Sequence, residues 1–436
     1  MLPSSTRDII LNHSRGVTAP HKNTLINGGE SHPPVFVDSF TRLHTLSFYT
    51  GNAVPKQGDA GSRGRRQRTS ARYPVFGGGD PNANLIGLEN DGGASIKDPI
   101  DMADPATILV TGGAGYIGSH AVLAFREAGY KVVVLDDLST GSRRAVPDEV
   151  TFFEGDAGNQ ATTTDLLRRH GVATVVHFAG SIVVPESVSN PLKYYRNNTE
   201  VSRSLIAACV DAGVKTLVFS STAAVYGEPE TVPINEDTPA CPENPYGRSK
   251  LVTEWMLRDT VAAHDFRFIA LRYFNVAGAD PEGRTGQSTP NATHLIKVAC
   301  QVALGSRPYI EIFGDDYDTP DGTCVRDFIH VADLAEAHVD AVRHLQDGGE
   351  SLILNCGYGR GYSVSEVLST LERVSGCVLD ARKAPRRPGD TPEVVADARR
   401  IRSLFHWTPR YDDLELIIRS ALEWERTLLP DAEENR

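Results

Sequence analysis

A doubly wound, parallel α/β sheet with a smaller C-terminal lobe is predicted by three features of this chain. Apolar runs of strand length alternate with helical segments from Pro105 onward, a glycine-spaced turn joins the first strand to the first helix, and the second strand ends on an acid. Such alternation writes a parallel sheet covered on both faces, because each parallel crossover needs a helix. Ala106 to Val110 reads as the first, buried strand, and Gly113-x-Gly115-x-x-Gly118 opens a helix running through Ala121 to Ala128. Lys131 to Leu135 is the second strand, closing on Asp136, and Val150 to Glu154 is the third, followed by Gly155-Asp156. Asn159 to His170 has helical apolar spacing, and Val172 to Phe178 is the fourth strand. Pro191 to Ala212 and Tyr246 to His264 are helical on the same ground. Between them Lys215 to Ser220 is the fifth strand, and Arg267 to Tyr273 returns to the sheet.

A glycine-rich strand-to-helix turn aims backbone N–H groups and a helix N-terminus at one point, which is what a pyrophosphate requires. The same stretch also satisfies Gly112-x-x-Gly115-x-x-Gly118, the spacing of short-chain dehydrogenases. Asp136 follows about 20 residues later, where a carboxylate bonds a ribose 2′-OH and would repel a 2′-phosphate. NAD is therefore expected over NADP, in a Rossmann-like domain.

Tyr246 and Lys250 lie four apart on one helix and so share a face. A phenol with a reference pKa near 10 is a poor base at neutral pH. A nearby ammonium and the charge of an oxidised nicotinamide both favour phenolate, and a shift of about three units corresponds to roughly 4 kcal/mol. Such a phenolate takes a proton from an alcohol while hydride leaves the same carbon. Ser220-Ser-Thr-Ala-Ala-Val-Tyr-Gly227 ends the fifth strand, and Thr222 is the hydroxyl expected to bond the reacting oxygen. The alternative for Ser220, Ser221 and Thr222 is that they satisfy backbone groups at the strand end.

Composition narrows the rest. A net charge of −12 over 436 residues argues against nonspecific nucleic-acid binding, which needs a basic surface. No apolar run approaches the roughly 20 residues of a membrane helix, and Val172 to Val184 is interrupted by His177. Cys209, Cys241, Cys300, Cys324, Cys356 and Cys377 have no Cys-x-x-Cys spacing, so reduced thiols in a cytoplasmic protein are expected, with neither disulfides nor a metal site. The expected organisation is an extension over 1–104, a dinucleotide-binding domain over 105–275, and a substrate lobe over 276–430 interleaved with late sheet elements. The extension is poor in periodicity and rich in Gly, Pro, Ser and Asn, which predicts disorder. Its basic cluster Arg63, Arg65, Arg66 and Arg68 leaves an interaction arm open, and Met102 leaves a later start of synthesis open.

Taken together, Thr111 to His120, His177-Phe-Ala-Gly180, Glu186-Ser187, Asn197-Asn198, Ser220 to Gly227, Asn244-Pro-Tyr-Gly-Arg-Ser-Lys250, Leu271-Arg-Tyr-Phe-Asn275, Gly314-Asp-Asp-Tyr317 and Val325-Arg-Asp-Phe-Ile-His-Val331 resemble the UDP-glucose 4-epimerases. These are extended short-chain dehydrogenase/reductases, and the resemblance runs from about Ala106 to Trp424. It implies an enzyme that keeps NAD bound, takes hydride from C4 of a UDP-sugar, turns the 4-keto sugar over, and returns hydride to the other face. Tyr246, Lys250 and Thr222 would be catalytic. Gly112, Gly115, Tyr116, Ile117, Gly118, Asp136, Asp156, Ala157, Phe178, Ala179, Asn198, Ser220 and Tyr273 would line the cofactor with Tyr246 and Lys250. Asn275, His294, Phe313, Arg326, Arg387, Asp390 and Val394 would hold the substrate with Thr222 and Tyr246. Both arginines suit a diphosphate through forked, charge-assisted hydrogen bonds.

Four positions depart from that pattern. Thr222 stands for serine, and the hydroxyl survives. Ile182 stands for a lysine that reaches the cofactor ribose, His294 for asparagine, and Val394 occupies a position that is bulky and aromatic in some members and small in others. A small side chain there leaves room for an N-acetyl group, so UDP-GlcNAc is an alternative substrate, and UDP-xylose/UDP-arabinose is another. Ser181-Ile-Val-Val-Pro-Glu-Ser187 resembles the exopolysaccharide-associated branch. A 4,6-dehydratase is excluded because Ala223-Ala224 replaces the acidic pair that must protonate the sugar. A noncatalytic NAD-binding regulator would be expected to lose the tyrosine, lysine or hydroxyl. The resemblance further implies a homodimer through the helices Pro191 to Ala212 and Tyr246 to His264.

Overall fold

The computed structural model describes residues 105–289, 292–387 and 389–429, so the expectations for the first 104 residues lie outside the described residues. The chain begins with β1 (Thr107–Thr111), α1 (Tyr116–Glu127), β2 (Lys131–Asp136), β3 (Thr151–Glu154), α2 (Gln160–Arg169) and β4 (Val172–His177). There follow α3 (Val184–Ser189), α4 (Pro191–Tyr194), a π-helical turn over Tyr195–Glu200, α5 (Val201–Ala212), β5 (Thr216–Thr222), α6 (Pro245–Ala263) and β6 (Arg267–Tyr273). Strands β1 to β6 fall within two residues of the positions read from the apolar runs. The helix expected over Pro191 to Ala212 is present but widens at its centre into the π turn, and α3 before it had no periodic signal.

The late chain contributes β7 (Asn275–Ala277), α7 (Leu295–Ala303), β8 (Ile310–Phe313), β9 (Val325–His330), α8 (Val331–Gln346) and β10 (Leu352–Cys356). It closes with β11 (Gly361–Ser363), α9 (Val364–Ser375), β12 (Ala381–Ala384), β13 (Glu393–Val394), α10 (Arg399–Phe405) and α11 (Leu414–Thr427). The main sheet has seven strands in the order β10-β6-β5-β4-β1-β2-β3, parallel throughout. Order reverses between β1 and β4, and the crevice beyond their carboxyl ends is where such sheets hold ligands. Outside this sheet β9 is a hub, pairing with β7, β11 and β13, while β8 pairs with β12.

Side-chain alternation explains the two faces. Ile108 and Val110 join one apolar cluster with Val122 and Phe125 of α1 and Leu334 and Leu345 of α8, whereas Leu109 joins another with Leu166, Leu205 and Leu257. A strand buried on both faces is apolar on both sides through its middle, which is why these segments read as continuous runs rather than alternating ones. Helix ends are set locally. Asn244 caps α6 by accepting the Gly247 N–H at 2.9 Å with Pro245 at the first helical position, and Ser363 and Glu366 form a reciprocal capping box on α9. Among the described residues no helix is long and apolar enough to cross a membrane, and no cluster of three or more His, Cys, Asp or Glu could hold a metal ion.

Candidate active site at the carboxyl edge of the sheet

The glycine turn is shaped by contacts that exclude a side chain. Gly112 has φ +70°, and a Cβ there would lie 2.6 Å from the Ala179 nitrogen; one on Gly118 would lie 2.1 Å from the Gly112 carbonyl oxygen. Both are distances no real Cβ tolerates. Gly115 precedes α1 as a cap with no side-chain bond, and no acid lies in the first turn, so the helix N-terminus is open to an anion. The Tyr116 hydroxyl reaches away to donate to the Gly278 carbonyl at 2.7 Å. Asp136 is buried at the end of β2, where its two oxygens accept the Ala114 and Leu138 N–H groups, each at 2.9 Å. Burial raises its pKa, and these two bonds oppose the rise. A carboxylate offers about four acceptor positions, so room for a ribose hydroxyl remains.

The neighbouring loops complete this rim. Asp156 is exposed and accepts the Gly158 N–H at 2.7 Å, next to buried Ala157. Phe178 and Ala179 follow β4, with the Phe178 ring 4.7 Å from that of His338. Asn198, in the π turn, is buried; its amide oxygen accepts the Ser181 N–H at 2.7 Å, and its nitrogen donates to the Ser181 carbonyl and Ser249 hydroxyl, each at 3.0 Å. It thereby ties the loop after β4 to α6. Ile182 in that loop is 46% exposed.

The cluster expected to react lies where β5 meets α6. Lys250 is buried and donates to the Ser220 carbonyl at 3.0 Å, its nitrogen 5.0 Å from the Phe219 ring centre. Burial presses its pKa down to about 8. Thr222, also buried, accepts the Ala224 N–H at 3.1 Å, which leaves its hydroxyl proton to donate elsewhere. Tyr246 is half-buried, with the Tyr194 ring packed edge-on at 6.4 Å. Burial pushes the Tyr246 phenol above its ordinary pKa and the Thr222 hydroxyl pulls it back. The depressing ammonium contact anticipated for Tyr246 is spent here on the Ser220 carbonyl. Ser220 Oγ and the buried Tyr273 hydroxyl bond each other across β5 and β6.

The expected substrate residues fall into three connected groups. Val394 packs on Ala223, Val225, Tyr226, Leu251 and Phe274, beside the reacting strand end. Asn275 and His294 line one small cavity with Gln287, Lys297, Phe328 and Trp424. His294 bonds Gln287 at 2.7 Å, and burial lowers its pKa, with Lys297 adding to the effect. Phe313, Arg326, Arg387 and Asp390 converge: Arg387 bonds Asp390 through Nε at 3.1 Å and Nη2 at 2.9 Å and lies 5.5 Å over the Phe313 ring, while Arg326 Nη2 is 3.8 Å from Asp390. β9 joins the groups, since Arg326 is in register with Val394 and Phe328 with Asn275.

The sequence profile of the NAD dependent epimerase/dehydratase family matches residues 108–357. The chain belongs to that family. It is 63% identical over 321 residues to a UDP-glucose 4-epimerase of Azospirillum brasilense, covering 74% of this chain and 92% of that protein. Among solved structures it is similar to the UDP-glucose 4-epimerase of Brucella ovis in complex with NAD, with a TM-score of 0.71 and 44% identity over 73% of this chain and 98% of that one. The UDP-Glc/GlcNAc 4-epimerase of Campylobacter jejuni is 49% identical, with a TM-score of 0.66 over 74% of this chain and 99% of its own.

In this member of the epimerase/dehydratase family the glycine cradle, the uncapped α1 N-terminus and buried Asp136 fit a dinucleotide. Several buried groups at the same edge went unread in the sequence. His177 is held between the Thr111 hydroxyl at 2.7 Å and the Ser202 hydroxyl at 2.9 Å. Glu254 accepts from Ser221 and pairs with Arg272, and Asp327 accepts three backbone N–H groups, from Tyr358, Gly359 and Ala396. Only Glu254 left a trace, recurring at i+4 and i+8 from Lys250 and Tyr246 on one helix face. The others depend on which loops the topology brings together.

Proposed function

We propose that this enzyme interconverts UDP-glucose and UDP-galactose by inversion at C4. The observation that carries the reading is the convergence of Thr222, Tyr246 and Lys250 at the strand end that faces the glycine cradle. Bound NAD supplies the reversible hydride acceptor. Tyr246 takes the C4 hydroxyl proton, and Thr222, its oxygen already holding the Ala224 N–H, keeps its own proton and donates a hydrogen bond to the reacting oxygen. Lys250, held on the Ser220 carbonyl, would hold the cofactor and keep a positive charge on the helix face it shares with Tyr246. Arg326 and Arg387 grip the diphosphate, with Asp390 shared between them until substrate enters. Phe313, 37% exposed, offers its ring face to the uracil. With the nucleotide anchored in the late-chain lobe, the 4-keto sugar turns over in place and is reduced from its other face. Incubation of the purified chain with UDP-galactose and no added NAD tests this. UDP-glucose should appear; absence of product with and without NAD would overturn the reading.

Val394 supports a second substrate, UDP-GlcNAc, because a branched three-carbon side chain leaves space that an aromatic ring would fill. The same reading includes a homodimer. Val188, Leu192 and Trp255 on α3, α4 and α6 are 65%, 78% and 52% exposed, an apolar set that a second copy would cover. Its free cysteines suit a reducing cytoplasm.

A further inference from the structure

Glu254 is a carboxylate with no exposure, set in α6 one turn beyond Lys250 and two turns beyond Tyr246. Three bonds hold it. Ser221 Oγ donates to Oε1 at 2.6 Å, and the Arg272 fork donates through Nε at 2.9 Å and Nη2 at 2.5 Å. Arg272 is itself buried, with its guanidinium 4.8 Å over the Tyr226 ring, and the Tyr226 hydroxyl donates to Asn355 of β10 at 2.7 Å. Ser221 lies between Ser220, whose carbonyl holds Lys250, and Thr222; Arg272 precedes Tyr273, which bonds Ser220. The pair thus fastens α6 to the ends of β5 and β6, the two strands that position the reacting groups.

We infer that Glu254 and Arg272 are positioning residues for the reaction: they fix Thr222 against Tyr246 and keep a buried negative charge one turn from Lys250 fully compensated. This rests on the epimerase reading above. The other titratable groups facing Tyr246 and Lys250 are His177 from β4, Tyr194 from α4 with its partner Glu186, and Tyr273 from β6. His177 is buried and pressed to about 3, so it is neutral near pH 7 and carries no compensating charge. Glu254 is the anion on the helix face of the reacting residues, and Arg272 is its counter-ion.

Charge bookkeeping then gives a signature of opposite signs. Eight helical residues span about 12 Å, and a unit charge at that distance in a partly buried site moves a pKa by roughly one unit. Arg272→Met leaves Glu254 uncompensated, so the acid limb of the kcat profile should move up by about one pH unit, with kcat on that limb down about tenfold and KM within about twofold. Glu254→Gln leaves Arg272 uncompensated and should move the limb the other way. The double variant Glu254→Gln/Arg272→Met carries neither charge and should return the limb to its wild-type position.

The experiment is the kcat and KM pH profile of these full-length holoenzymes on UDP-galactose, with bound NAD and melting temperature measured on each. Wild-type protein that makes no UDP-glucose defeats the epimerase reading itself, separately from this inference. With active wild type, opposite shifts in the single variants and restoration in the double support the pair as a positioning device. Limbs that stay at the wild-type pH while kcat merely tracks melting temperature overturn it. Should Arg272→Met fail to fold, Arg272→Lys, which keeps the charge but loses the fork, gives the deciding ratio: a kcat loss with unchanged KM and NAD content supports positioning, and wild-type kcat overturns it.

Discussion

At the scale of single residues, the proposed mechanism separates groups that would do chemistry from groups that would choose the substrate. Tyr246 belongs to the first kind. Its phenol is pushed up by burial and pulled down by Thr222, so its proton transfer depends on charge that arrives with the cofactor. Tyr246→Phe removes the acid–base oxygen and nothing that packs, so kcat should fall about 10²- to 10⁴-fold while NAD stays bound, measured by turnover and by nucleotide released on denaturation. Retained turnover would remove this tyrosine from the mechanism. Val394 belongs to the second kind. It packs beside the reacting strand end without a polar contact, so Val394→Tyr should abolish turnover of UDP-GlcNAc and leave UDP-glucose within a few-fold. Equal loss on both sugars would mean that the position sets stability rather than selectivity.

At the scale of elements, α6 has one face toward the sheet and one toward solvent. Leu251 and Leu257 are buried, whereas Trp255 between them is 52% exposed, and α3 and α4, which pack against α6, expose Val188 and Leu192. If a second copy covers that face, Trp255→Glu and Leu192→Glu should each shift a dimer toward monomer in sedimentation at micromolar concentration. Wild type already sedimenting as a monomer would end the argument. Six of the seven strands of the main sheet, β1 to β6, were legible from their apolar runs, and Asn159, Asn244 and Gly115 punctuated their helices. The π turn at Tyr195–Glu200 was not, because its cause is tertiary: Asn198 must turn inward to bond Ser181 and Ser249. The short late strands were also silent, since two to six residues around β9 carry too few periods to announce themselves. For the site, residues with local motifs could be named in advance. The Glu254–Arg272 pair could not be read as a pairing, because it depends on how α6 packs against β6.

At the scale of the whole molecule, stability should depend on buried imidazoles staying neutral. Burial presses His177 and His330 to about 3 and His120 and His338 to about 4. Each is below the ordinary value of about 6.5, so as pH falls the unfolded chain takes up the proton first. Their contribution is therefore complete above about pH 6.5 and lost between there and about pH 4 for His120 and His338 and about pH 3 for His177 and His330, at up to about 1.4 kcal/mol per group per pH unit. Asp327 runs the other way. Burial raises it to about 6, so the folded chain binds that proton first and recovers one group's worth over the same window. The net is roughly three protons, or about 4 kcal/mol per pH unit, against a typical total of about 5–15 kcal/mol. Urea midpoints measured from pH 7.5 to 4.5 should accordingly fall steeply below pH 6.5, with a loss of about 8 kcal/mol at the lower limit. His338 offers the control. Its ring sits among Phe178 and Tyr273 and its Nε2 has no partner, so His338→Phe should keep the packing and flatten the slope by about one proton. A midpoint that is level from pH 7 to 5 in wild type would show that these imidazoles are not held neutral by burial. An unchanged slope in the variant would remove His338 alone from the set.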